Sequence, residues 1–387
     1  MSLNTSLELR LKHFSHEVCS SKLYSIGYPV NHAIDLKDFY TWYIDSGLTT
    51  VNLNNAGDPR QSSFAPLNTH VFENELIDFL AARYGFKADN YWGLVTLSGT
   101  QSNNLGIYYG QYFLHQQSGL TPIVYVSAEA HYSIRQLTDL QQLETRTIAT
   151  LTDGQIDAID FKQQLDTSRP ALVVLTIGTT FKGAMDNQQA IEQILLNSPL
   201  PAFYRHLDAA LFGGFLAFSP HQELLDQAKQ GFDSIAVSGH KFFGIDEPAG
   251  IFLTTRDVYN AQSPAQANYL NDKIGLLDCS RSALASLKLW WLLQTHGCEG
   301  YQQQTQQILA NAQYLQEKLE SEPYPAWRAP HSNTVYFKRP ALPLMEKWRL
   351  APDTDSRLGG ALAHVVVMQH VTREMIDLFV KDLLTTR

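Results

Sequence analysis

At 387 residues, 44% of them hydrophobic and 17% charged, the chain has the make-up of an ordinary folded protein with room for one large core and one smaller one. A net charge of −9 without any Lys/Arg cluster argues against a nucleic-acid partner, and no apolar run approaches the roughly 20 residues that span a bilayer. Cys19, Cys279 and Cys298 are too scattered for a metal site or a disulfide framework, and Met1–Ser6 lacks the features of a secretory leader, so a reduced, cytoplasmic setting is expected.

To about Thr50 the chain reads as helical pieces interrupted at Gly27-Tyr28-Pro29. Short β-rich runs then alternate with helical patterns: Leu94–Leu97, Ile123–Ser127, Arg146–Thr150, Ala171–Ile177, Ala202–Asp208, Ser234–Ser238 and Gly250–Thr255. Between them lie helix-like segments such as Ser102–His115, Ser133–Leu143, Asp157–Leu165 and Gln188–Leu196. Continuous apolar strands interleaved with helices imply an α/β fold with a mostly parallel sheet covered on both faces. From Ser280 onward the pattern changes. Two helices (Ala283–Gln294, Tyr301–Leu319), two strands (Thr334–Phe337, His364–Met368) and a last helix (Arg373–Leu384) suggest a small α+β unit. The expected division is a helical segment (1–50), a large domain (51–290) and a small carboxy-terminal domain (291–387).

The chemistry gathers at strand ends. Asp208 ends one apolar run, and Lys241 follows another in Ser238-Gly239-His240-Lys241. An aspartate and a lysine at neighbouring strand ends can converge on one ligand. Pyridoxal 5′-phosphate (PLP) needs that pair: the lysine bonds the cofactor aldehyde, and the carboxylate keeps the pyridine nitrogen protonated. Ser98-Gly99-Thr100 opens a helix, where free backbone N–H groups suit a phosphate; a plain N-cap would use the same residues. His131 follows a strand and could stack on a flat ring, or simply cap the next helix. Thr179, in Ile177-Gly178-Thr179-Thr180, could meet the cofactor's phenolic oxygen or a substrate carboxylate, or merely end its strand.

In order and spacing these motifs resemble the group II PLP-dependent amino-acid decarboxylases, a family that includes bacterial histidine decarboxylases and plant serine decarboxylases. Further residues carrying the resemblance are Ile26–Pro29, Asn54–Asp58, Tyr91–Gly93, Ser280-Arg281, Ser332–Val335 and Ala363–Met368. The resemblance implies fold type I (aspartate-aminotransferase-like), with a seven-stranded-type sheet in the large domain, and a homodimer with shared active sites. It makes Lys241 the cofactor-bonding lysine and Asp208 the pyridinium partner, with His131 and Ala210 on the two ring faces. Ser98, Gly99, Thr100, Ser238 and His240 would hold the phosphate or its surroundings, and Thr179 would lie near the ring oxygen or substrate. Tyr269, on a loop within Gln262–Leu277, would reprotonate Cα in the partner subunit's site, a phenol being protonated at neutral pH. The implied reaction is α-decarboxylation of an L-amino acid, histidine to histamine and CO₂ first and serine to ethanolamine second. Transamination and Cβ elimination are the other PLP reactions considered. Three departures bear on the substrate: Gln101 in place of glutamate, the charged Asp246-Glu247, and Ser282-Ala283-Leu284 after Ser-Arg.

Overall fold

Seven apolar runs pair into one sheet in the computed structural model: β1 (Tyr91–Thr96), β2 (Ile123–Ser127), β3 (Thr145–Ile148), β4 (Ala171–Thr176), β5 (Phe203–Asp208), β6 (Ser234–Ser238) and β7 (Gly250–Thr255). Their spatial order is β1-β7-β6-β5-β4-β2-β3. β7 pairs antiparallel with both of its neighbours, so it alone runs against the others and the expected mostly parallel sheet is present. The structure describes residues 5–61, 66–262, 265–267, 272–274 and 277–385. Tyr269 and half of its loop lie outside these residues; β8 (Ala265–Ala267) and β9 (Asp272–Ile274) form a short antiparallel ribbon.

Helices cover both faces of the large sheet, as its apolar strands demand. On one face Leu172, Val174 and Phe252 meet Leu105, Ile107 and Tyr109 of the helix Gly99–Ser118; on the other Val173, Leu207 and Ile251 join a larger core. Each fully buried aliphatic side chain contributes about 1.5–3 kcal/mol. The helix Gly99–Ser118 lies very close to β5, because a Cβ at Gly106 would stand 2.3 Å from the His206 ring.

A second sheet, ordered β10-β11-β13-β12, joins β10 (Ala326–Trp327), β11 (Thr334–Lys338), β12 (Ala351–Asp355) and β13 (Gly360–Val366), all antiparallel. The helix Ala283–Ser321 joins its core to that of the large sheet. Leu287 and Leu292 pack in the first core, Leu315 and Leu319 in the second, and Gly297 (φ 59°) breaks the helix between the two predicted segments. Buried polar links bind the two sheets. Lys182 pairs with Glu129 (2.8 Å) and with Asp355 (2.6 Å) of β12, and His364 of β13 lies between Phe181 O (2.7 Å) and Gly27 O (3.0 Å). Among the described residues no helix is long and apolar enough to cross a membrane.

Candidate active site

The carboxyl ends of the parallel strands open into a cavity of about 330 Å³. Ser98, Gly99, Thr100, His131, Thr179, Asp208, Ala210, Ser238, His240 and Lys241, all of the described candidates, line it together. Pro29 from the amino-terminal segment, with Thr334 and Val366 from the second sheet, also lines it.

Ser98 is the N-cap of the helix Gly99–Ser118; its hydroxyl accepts from Gln101 N at 3.1 Å. The first turn therefore starts at the cavity wall with its remaining N–H groups directed toward the helix's amino end. A Cβ on Gly99 would lie 2.3 Å from Ser238 Oγ, so glycine lets the helix start and the end of β6 meet.

Lys241 follows β6 on the connection 239–249, which Gly239 N→Ala249 O (2.8 Å) closes at its base. Burial lowers the Lys241 pKa, opposed by the charge of Asp208. A depressed pKa enlarges the neutral, nucleophilic fraction of the amine. Asp208 ends β5 and accepts from Ala210 N at 3.2 Å. His131 caps its helix, accepting from Ser133 N (3.3 Å) and sharing a 2.7 Å bond with Ser133 Oγ. Its pKa is lowered by burial, with Asp208 raising it and Lys241 lowering it again, so the three groups lie within one field. His240 is also held below its ordinary pKa, chiefly by burial, and its Nδ1 lies 3.1 Å from Ala249 O. Thr179 Oγ1 accepts from Ala184 N at 3.0 Å, leaving its own hydrogen for another partner.

Thr176 and Asn103 are among the lining residues that sequence reasoning missed. Thr176 sits beside Asp208 in register on the neighbouring strand, and its buried hydroxyl has no partner among the described residues. Asp186 fixes this strand end, accepting from Thr176 N and Ile156 N (both 2.7 Å), while burial pushes its own pKa up to about 7. Asn103 lies one helical turn beyond Gly99, a spacing that could have drawn attention to it.

The departures have structural roles. Asp246 and Glu247 each meet buried Lys288 at 2.6 Å, and Tyr40 donates to Asp246 at 2.6 Å, clamping the loop beyond Lys241. Gln101 donates to Asp278. Ser282 is the N-cap of the helix Ala283–Ser321.

These residues fit PLP: a cavity amine, a strand-end carboxylate, a helix start at the wall and an orphaned hydroxyl meet in one space. The family model for the pyridoxal-dependent decarboxylase conserved domain matches residues 115–337. The chain is 32% identical to a histidine decarboxylase of Solanum lycopersicum, over 98% of this chain and 89% of that protein. It is 30% identical to the histidine decarboxylase of Vibrio anguillarum (94% and 91%) and 32% identical to serine decarboxylase 3 of Oryza sativa (93% and 78%). In fold it matches L-methionine decarboxylase from Streptomyces sp. 590 with a TM-score of 0.83 at 22% identity, covering 100% of this chain and 96% of that one. Glutamate decarboxylase of Lactobacillus brevis gives 0.81 at 15% identity, with 100% and 92% covered.

Proposed function

We infer, on the premise that the chain belongs to the pyridoxal-dependent decarboxylase family, that its substrate is L-histidine and its products are histamine and CO₂. PLP-dependent amino-acid decarboxylation follows from the family; the choice of histidine is our addition. The observation that carries it is similarity along nearly the whole chain to histidine decarboxylases from both a plant and a bacterium. Equal identity to a rice serine decarboxylase makes serine, with ethanolamine as product, the second reading. An amine-release screen of the purified protein across the 20 common amino acids tests the choice. We expect histamine from histidine in excess over every other amine; ethanolamine from serine without histamine would replace the first reading by the second.

Bound PLP supplies a conjugated ring that accepts the electron pair left when the Cα–carboxylate bond breaks. The residues divide the remaining work. Lys241 would hold the cofactor covalently, Asp208 would keep a proton on its ring nitrogen, and His131 and Ala210 would pack against the ring. Gly99 and Thr100 would offer backbone N–H groups to the phosphate, with Ser98, Ser238 and His240 nearby, and Thr179 would donate toward the ring oxygen or the substrate carboxylate. Pro29, Thr334 and Val366, which also line the cavity, would restrict water there and so strengthen each of these polar contacts.

The assembly we propose is a homodimer. The helix Thr5–Ser21 buries none of its residues, yet Leu11 (54% exposed), Phe14 (63%) and Val18 (50%) recur along one side. A lone helix of this length is marginal in water, so such a face calls for a partner. Light scattering should give twice the 43.6 kDa chain mass, and deletion of residues 1–21 should shift the equilibrium toward monomer. A monomeric full-length protein at micromolar concentration would refute the dimer.

A further inference from the structure

We propose that Asn103 is a further cofactor-binding residue, its two amide hydrogens turned into the cavity by a one-way hydrogen-bond chain through Tyr204, Ser234 and His206.

The chain starts in the core beneath the cavity floor. The Tyr204 hydroxyl donates to Ser234 Oγ at 2.6 Å. Ser234 Oγ lies 2.7 Å from His206 Nδ1, and His206 Nε2 lies 2.9 Å from Asn103 Oδ1. Tyr204, Ser234 and His206 are fully buried, and Asn103 is 3% exposed. Asn103 Oδ1 can only accept, so His206 Nε2 carries the proton; Nδ1 of the neutral ring is then bare and accepts the Ser234 hydrogen, while Ser234 Oγ accepts from Tyr204. An amide has one oxygen and one nitrogen, so engaging the oxygen below leaves the NH₂ above, where Asn103 lines the cavity.

Every link requires a neutral imidazole, and burial holds the His206 pKa down at about 3. The reverse polarity would turn the Asn103 carbonyl toward a cavity that receives an anionic cofactor and already contains the Asp208 carboxylate, at a cost in repulsion. Asn103 also lies in the second turn of the helix that starts at Gly99, its side chain leaning back toward the helix start. The donors therefore suit an anionic oxygen of the cofactor, either on its phosphate or on its ring.

This inference rests on the cavity being the cofactor site, and two measurements test it without reading turnover. In the apo-protein, Asn103→Leu should weaken PLP binding about 10-fold, the effect of losing a hydrogen bond to a charged acceptor. Asn103→Asp, which still accepts from His206 but turns an oxygen to the cavity, should weaken it further. Repeating the titration with unphosphorylated pyridoxal identifies the acceptor: the loss vanishes if it is the phosphate and persists if it is the ring oxygen. Thermal melting checks that each variant is folded. Independently, nitrogen-15 spectra of wild-type protein should show His206 neutral, protonated at Nε2 and unchanged from about pH 5 to about pH 8. Wild-type affinity in both folded variants, or a proton on Nδ1, would overturn the proposal. Failure of wild-type apo-protein to take up PLP would instead refute the reading of the cavity itself.

Discussion

Lys241→Ala should yield protein with no measurable amine production, turnover falling by roughly 10⁴-fold or more. The two buried lysines, Lys182 and Lys288, could in principle compete with Lys241 as the nucleophile, and ion pairing separates them from it. Lys182 is held by Glu129 and Asp355, and Lys288 by Asp246 and Glu247, all within 2.8 Å; against the effect of burial, its two acid partners hold the Lys288 pKa up. Lys241 faces the cavity, and its burial favours the neutral amine. Wild-type protein should be yellow, and borohydride reduction followed by peptide mapping should place the cofactor's mass on the peptide containing Lys241. In the variant that adduct should be absent. Retained activity, or an adduct on Lys182 or Lys288, would overturn the assignment.

Asp208→Asn should keep the fold and the covalent adduct while lowering kcat about 100-fold, equivalent to about 2.7 kcal/mol of barrier. The amide can still accept from Ala210 N, so the local turn survives, but it supplies no charge to keep a proton on the ring nitrogen. A second readout comes from His131. Asp208 raises the pKa of that ring against the effect of burial, so neutralising the carboxylate should move the His131 titration further below its ordinary value. Near-normal kcat in Asp208→Asn would remove the role assigned to Asp208.

The strands that form the cavity floor were legible because continuous apolar runs bounded by turn residues leave little choice. Ile123–Ser127, Ser234–Ser238 and Gly250–Thr255 match their predicted bounds. Periodicity carries no direction, however, so the reversal of β7 could not be read from it. Nor could the start of β1 at Tyr91, which depends on pairing of Tyr91–Gly93 with Leu253–Thr255. The predicted Arg146–Thr150 strand ends at Ile148, and Thr150 instead bridges to Ile156. The strand expected at His364–Met368 runs from Gly360 to Val366, its register set by pairing with Thr334–Lys338. At the site, residues placed at strand ends announced themselves. Thr176 and Asn103 did not, because their roles depend on register with Asp208 and on a chain of hydrogen bonds from β5 and β6.

The reversal of β7 has a thermodynamic consequence for Lys241. Parallel neighbours need a long crossover, whereas antiparallel ones accept a short return loop. Because Ser238 pairs with Gly250, the residues 239–249 leave and rejoin the sheet at the same rung. The conformational entropy of that loop is thus surrendered during folding rather than on ligand capture. What remains free before binding is the lysine's own side-chain torsions. The amine is preorganised at high effective molarity over the cavity, and affinity for the cofactor is not spent on ordering the backbone that carries it.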